Sequence, residues 1–159
     1  MNIIILLGTN MGDRLENLSQ AKTLMAPYVQ ILQESKIYQT AAWGNTDQAD
    51  FLNQGINVET DLSAEELMHV LLAIESKMGR ERMQKWEPRI IDLDIIFYRE
   101  EIHQTSLIQI PHPELQNRAF VLQPLLDLNP QFKHPILQQS IAELWDLCPD
   151  QLSVSIFVE

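Results

Sequence analysis

Apolar and polar positions alternate along the chain in blocks that predict strands and helices in turn. Residues 2–8 (Asn-Ile-Ile-Ile-Leu-Leu-Gly) are β-branched and apolar without alternation, the pattern of a strand buried on both faces. Gly8 to Gly12 reads as a tight turn in which Asn10 supplies local hydrogen bonds. A helix is expected from Asp13, with Leu15, Leu18, Ala21 or Lys22, and Met25 on one face and Pro27 ending it. Val29 to Tyr38 reads as one strand, and the polar, aperiodic residues 39–50 as a loop. Phe51 to Thr60 alternates, with Leu52, Gln54, Ile56 and Val58 on one face and Phe51, Asn53, Gly55 and Asn57 on the other. That odd-numbered face is predicted to be open to a ligand.

Ser63-Ala-Glu-Glu66 is a capping box, and Leu67, Val70, Leu71, Ile74 and Met78 follow it at helical spacing, with Gly79 at the C-terminal cap. Residues 80–89 hold no period and read as a loop. Ile90 to Tyr98 is the clearest strand. Beyond it, prolines punctuate short helices predicted around Val121–Leu128 and Gln138–Leu147, and Ser153 to Val158 is expected to return as an edge strand. With no internal repeat and no linker, residues 1–159 read as one domain of the α+β class, helices packed on a mostly antiparallel sheet.

Composition narrows the function. The formal net charge is −11, which disfavours nucleic acid or an anionic membrane as partner, since both require a positive field. No apolar run approaches the ~18 residues of a membrane span. A single cysteine, Cys148, excludes a disulfide framework or a thiolate metal cage, so a cytoplasmic protein is expected. Against the acidic background, Lys77, Arg80, Arg82, Lys85 and Arg89 crowd one short stretch with only Glu81 and Glu87 opposing them. Such an island suits a small polyanion, though by itself it is also what a solvated loop looks like.

The strongest chemical signal follows that island directly, in Arg89-Ile-Ile-Asp92-Leu-Asp94-Ile-Ile-Phe97. On a strand, Ile91, Leu93, Ile95 and Phe97 share an apolar face, so Asp92 and Asp94 project together from the other, ~6.5–7 Å apart. Paired carboxylates repel unless a cation lies between them, and hard oxygen donors without His or Cys favour Mg²⁺ completed by water and phosphate oxygens. One such pair serves two ions in an in-line displacement at phosphorus. The bland alternative is two solvated Asp residues, although Asp is depleted in strands. Neither a P-loop nor a Rossmann fingerprint occurs. Trp43, Phe51 and Asn53 offer a slot for a flat heterocycle, and His112 suits either a phosphate contact or a turn cap.

Taken together the chain resembles, essentially end to end, the 6-hydroxymethyl-7,8-dihydropterin pyrophosphokinases of folate biosynthesis. The matching pieces are Leu7-Gly-Thr-Asn10 with Gly12-Asp13, Tyr38-Gln-Thr40, Trp43-Gly44, Asp47-Gln48, Asp50-Phe-Leu-Asn53, Glu75 and Gly79-Arg80-Glu-Arg82. They continue through Trp86-Glu-Pro-Arg89, Asp92-Leu-Asp94-Ile, Pro111-His112 and Asn117-Arg118-Ala-Phe120. The resemblance implies a ferredoxin-like fold and an ATP-dependent transfer of pyrophosphate to the pterin hydroxymethyl group, releasing AMP, by a protein expected to be a monomer. It implies that Asp92 and Asp94 hold two Mg²⁺ ions, with Arg82 and Arg89 also catalytic. Glu75, Arg80, Arg82, Trp86, Arg89, Ile95, His112 and Arg118 would bind ATP. Thr40, Ala41, Ala42, Trp43, Phe51, Asn53 and Phe120 would line the pterin slot. Two positions depart from the family pattern: Ala41-Ala42 replaces its usual proline in the pterin loop, and Glu87 stands where Gly is usual. From the carboxylate pair alone, a nucleotidyltransferase or metal phosphohydrolase remains open, and from the two departures a nucleotide- or pterin-binding module without turnover.

Overall fold

A computed structural model of the chain describes residues 3–41, 49–79, 90–150 and 153–158. Ile3–Thr9 forms β1, buried at every position as its uninterrupted apolar run requires. It continues through Gly8, so the turn begins two residues later than the sequence suggested, and Gly12 takes a positive φ of 66° there. Helix α1 (Arg14–Met25) starts at Asp13, whose carboxylate accepts the Glu16 amide. The expected strand from Val29 is instead two, β2 (Gln30–Glu34) and β3 (Tyr38–Thr40), both antiparallel to β4 (Phe51–Glu59). The break lies at Ser35, whose hydroxyl takes the Gly55 amide (2.9 Å) while the Lys36 amide leaves the ladder for Asp127 (3.0 Å).

Helix α2 (Ala64–Lys77) carries the anticipated capping box, with Gly79 at φ 87° beyond its end. Strand β5 (Asp92–Tyr98) pairs with β1. A bulge corrects one expectation here. Ile5 faces Ile95 but Ile4 faces Phe97, so Ile96 is the extra residue and the alternation flips after it. Ile91, Leu93 and Ile95 pack beneath α1 and α2 as expected, whereas Phe97 points to the opposite core, among Ile4, Leu6 and Leu122.

Two short strands that no periodicity announced, β6 (His103–Gln104) and β7 (Gln109–Ile110), pair as a hairpin. A 3₁₀ turn over Leu115–Asn117 leads into α3 (Ala119–Leu128). Helix α4 spans only Ile141–Leu147, because the Ser140–Glu143 capping box starts it and Gln138 sits at φ 58° outside it. Strand β8 (Val154–Ile156) pairs with β3 as the expected last edge strand.

The main sheet runs β5-β1-β4-β3-β8 with β2 beside the far end of β4, and every pairing is antiparallel. The β1-α1-β2/β3-β4-α2-β5 order with this strand arrangement is the ferredoxin-like fold. Helices α1 and α2 cover one face, and α3 and α4 cover the other. Gly55 permits the second covering, since a Cβ there would meet Leu128 and Pro124 at 3.2 Å. The polar face of β4 is therefore closed over Gly55 and Asn57, and the ligand-facing surface expected along its whole length is confined to the Phe51 end. No helix among the described residues is long and apolar enough to cross a membrane.

Candidate active site

Register places the chemistry-bearing residues in rows across the sheet. Tyr38, Asn53, Gly8 and Asp92 are successive cross-strand partners on β3, β4, β1 and β5, and Leu6 stands beside Asp94 in a neighbouring row. Directly paired residues share a face. Tyr38 donates to Asp127 of α3 (2.7 Å) and Leu6 belongs to the α3–α4 core, so both carboxylates emerge on the α3 side. Asp92 is half-buried and Asp94 exposed, the common face that the strand period predicted.

Asn53 is 4% exposed, and its Nδ2 lacks a hydrogen-bond partner among the described residues. A buried donor in that state costs about 1–3 kcal/mol unless something accepts from it. The side chain lies over Gly8, where an added Cβ would stand 2.8 Å from Asn53 Oδ1 and 3.9 Å from Phe51 Cδ1. The sequence places Gly8 at the end of a strand and the start of a turn, without showing this clearance. The available signal was an isolated glycine inside a strand pattern, which marks close approach of a neighbour. Phe51 is half-buried and pairs with the buried Thr40. Phe120 is half-buried on α3, and the Arg118 guanidinium lies 5.9 Å from its ring centre. Ala41 is exposed.

The other half of the site is a cavity of about 220 Å³ between β5, α2 and the β6–β7 hairpin, lined among others by Asp94, Ile95, Met68, Leu107, Ile110 and His112. The structure thus unites Asp94, Ile95 and His112, and adds Met68, which no periodic signal separated from the core methionines. The His112 amide donates to Ile96 O (3.1 Å), fixing the segment against the bulge of β5. Burial holds the His112 imidazole below its ordinary range, and the Arg118 cation pushes the same way against Glu114. Glu75 does not line this cavity. It is 5% exposed, and its Oε2 accepts the Leu93 amide (2.8 Å), clamping β5 between the two aspartates from behind.

Asn10 Nδ2 donates to the Ala49 carbonyl (3.2 Å), a partner 39 residues away. Thr9 Oγ1 donates to Ile90 O (2.5 Å), so the end of β1 ties down the chain on both flanks of the site. Ala42, Trp43, Arg80, Arg82, Trp86 and Arg89 lie outside the described residues. Among the described residues, no three His, Cys, Asp or Glu side chains gather as a metal-ligand set.

Residues 4–130 match the family model of 7,8-dihydro-6-hydroxymethylpterin-pyrophosphokinase. Among curated relatives, the 2-amino-4-hydroxy-6-hydroxymethyldihydropteridine pyrophosphokinase of Aquifex aeolicus is 36% identical over 137 residues, covering 86% of each chain. The protein of that name from Bacillus subtilis is 40% identical over 126 residues, covering 78% of this chain and 75% of its own. Among solved structures, Plasmodium falciparum HPPK-DHPS A437G with SDX-DHP superposes at TM-score 0.72 with 18% identity over 92% of this chain, a likeness of fold. This chain spans 45% of that longer one. By family model and by identity over most of its length, the chain belongs to the 7,8-dihydro-6-hydroxymethylpterin-pyrophosphokinase family.

Proposed function

We propose that the protein transfers the pyrophosphoryl group of ATP to the hydroxymethyl oxygen of 6-hydroxymethyl-7,8-dihydropterin, in folate biosynthesis, with AMP as the other product. We read it as one domain over residues 1–159, acting as a monomer in the cytoplasm. The new bond joins the hydroxymethyl oxygen to the β-phosphorus, the bond from that phosphorus to the α,β-bridging oxygen breaks, and the hydroxyl proton passes to solvent. The observation that carries the reading is the cross-sheet row. It sets a buried amide donor without a partner among the described residues (Asn53) one strand from Gly8 and two strands from a carboxylate (Asp92), with the 220 Å³ cavity opening at the next carboxylate, Asp94.

Asp92 and Asp94 would hold two Mg²⁺ ions. The donor set fits, because two hard carboxylates without a third protein ligand among the described residues leave coordination positions for phosphate oxygens and water. When bound, these ions supply neutralisation of the polyphosphate and acidification of the hydroxyl. Ile95 packs the adenine, His112 and Arg118 face the phosphates, and Glu75 keeps β5 in place behind them. Asn53 Nδ2 donates to the heterocycle, with Phe51 and Phe120 on its faces and Thr40 and Ala41 at its edge. Arg80, Arg82, Trp86 and Arg89, with Ala42 and Trp43, complete the nucleotide and pterin contacts in this reading. Arg82 and Arg89 neutralise charge as the leaving group departs.

The test is product analysis by ³¹P NMR on protein mixed with ATP, MgCl₂ and the pterin alcohol. Equal amounts of AMP and a pterin diphosphate ester are expected. ADP, free pyrophosphate or no turnover by folded protein would contradict the proposal.

A further inference from the structure

Beyond the β6–β7 hairpin lies a second and larger cavity of about 610 Å³, lined also by His134, Ile136 and Leu137. It shares His112, Gln109 and Pro113 with the nucleotide-side cavity and otherwise has its own walls. Three imidazoles line it: His103, whose Nε2 meets Glu101 Oε1 (2.8 Å), and two that have the same edge occupied, His112 and His134. His112 Nδ1 accepts the Glu114 amide (3.3 Å), and His134 Nδ1 accepts the amides of Ile136 (3.1 Å) and Leu137 (3.0 Å). A ring nitrogen that accepts is unprotonated, so each neutral ring carries its hydrogen on Nε2. His134 is 4% exposed and lines the cavity, and among the described residues its hydrogen bonds are made at Nδ1. Burial lowers the proton affinity of both rings and keeps them in this donor form.

We propose that this cavity is a second ligand site for an uncharged molecule of nucleoside type. Among the described residues no Lys, Arg, Asp or Glu lines it, and His103 is already paired with the Glu101 carboxylate, so the wall presents no unpaired cation to a phosphate in a protein of net charge −11. Its chemistry is instead that of neutral recognition. The Nε2–H of His134 donates, and the carboxamides of Gln104 and Gln116 both donate and accept. Ile136 and Leu137, 47% and 39% exposed, supply an apolar wall for a flat ring. Its volume lies within the ~300–1,000 Å³ of sites that hold small organic ligands. His112 stands in the wall common to both cavities and has one Nε2 hydrogen to give, so occupancy of the two is coupled. That coupling, but not the second site itself, rests on the nucleotide reading above.

Adenosine is the probe, added to whole protein whose first site is saturated with Mg²⁺ and α,β-methylene-ATP, with imidazole ¹H–¹⁵N NMR as readout. Saturable shifts of the His134 signals are expected. His134→Asn, whose Oδ1 keeps the backbone caps but has no Nε2–H, should weaken adenosine about three- to tenfold and leave the analogue's affinity unchanged. Gln116→Ala, on the cavity wall, should do the same. Absence of His134 shifts at millimolar adenosine, or adenosine affinity unaltered in both variants, overturns the proposal. Failure of the analogue itself to bind counts against the nucleotide site, and adenosine titration of the free protein still reads His134.

Discussion

Replacing Gly8 by alanine isolates the geometry on which the proposed pterin slot depends. Gly8 is fixed from both sides, paired to Asn53 on β4 and to Asp92 on β5, so its backbone has little room to retreat. The new Cβ would stand 2.8 Å from Asn53 Oδ1, closer than Cβ atoms tolerate, and the carboxamide is the group able to turn away. Turning removes Asn53 Nδ2 from the slot. Loss of one hydrogen bond in a buried site is worth about 1–3 kcal/mol, which is roughly 5- to 150-fold in pterin affinity. Overpacking costs the fold about 1–3 kcal/mol as well. Calorimetric titration with 6-hydroxymethylpterin measures the binding loss, and thermal denaturation measures the stability. The affinity of an ATP analogue should stay within twofold. The decisive comparison is a double-mutant cycle, because in an Asn53→Ala background Gly8→Ala should cost no further pterin affinity. Unchanged pterin binding in Gly8→Ala, or an equal loss in both backgrounds, would refute the reasoning.

Other expectations follow from the same structure. Asp94→Ala should abolish turnover while leaving the melting temperature nearly unchanged, since it relieves carboxylate repulsion at an exposed position; turnover assays and calorimetry on one preparation check both. Tyr38→Phe should lose about 1 kcal/mol of stability in urea titration, because the Tyr38 hydroxyl, its pKa pushed up to about 12 by burial and by Asp127, is the side-chain donor tying β3 to α3. Buried neutral imidazoles make stability depend on pH. His112 and His134 have folded pKa values below the unfolded 6.5, so the unfolded chain takes protons first and stability should fall as pH drops below about 6.5. His134→Asn should flatten that slope in pH-resolved denaturant titrations.

Much of this architecture was legible where one local rule dominates. The apolar run of β1, the capping box of α2 and the acidic pair of β5 each declare themselves within a few residues. The shared face of Asp92 and Asp94 follows from the strand period alone. Where tertiary contacts override local pattern, the sequence was silent or misleading. The bulge at Ile96 turns Phe97 to the other core, and it exists only through pairing with β1. The split at Ser35 depends on Gly55 and Asp127, both remote in sequence. Hairpin β6–β7 is too short to have a period, although it forms one wall of the 220 Å³ cavity. Gly8 shows the same limit: its role is a clearance for Asn53, a residue 45 positions away that only the β1–β4 register brings near.

The claim that most needs direct measurement is that Asp92 and Asp94 hold the ions that gather the polyphosphate. Electron paramagnetic resonance with Mn²⁺ in place of Mg²⁺, in the presence of α,β-methylene-ATP and 6-hydroxymethylpterin, counts bound ions per chain. Two tightly bound Mn²⁺ ions in the native protein, and loss of both in an Asp92→Ala/Asp94→Ala variant that still folds, is the predicted result. Equal Mn²⁺ binding by the native protein and the double variant would contradict it.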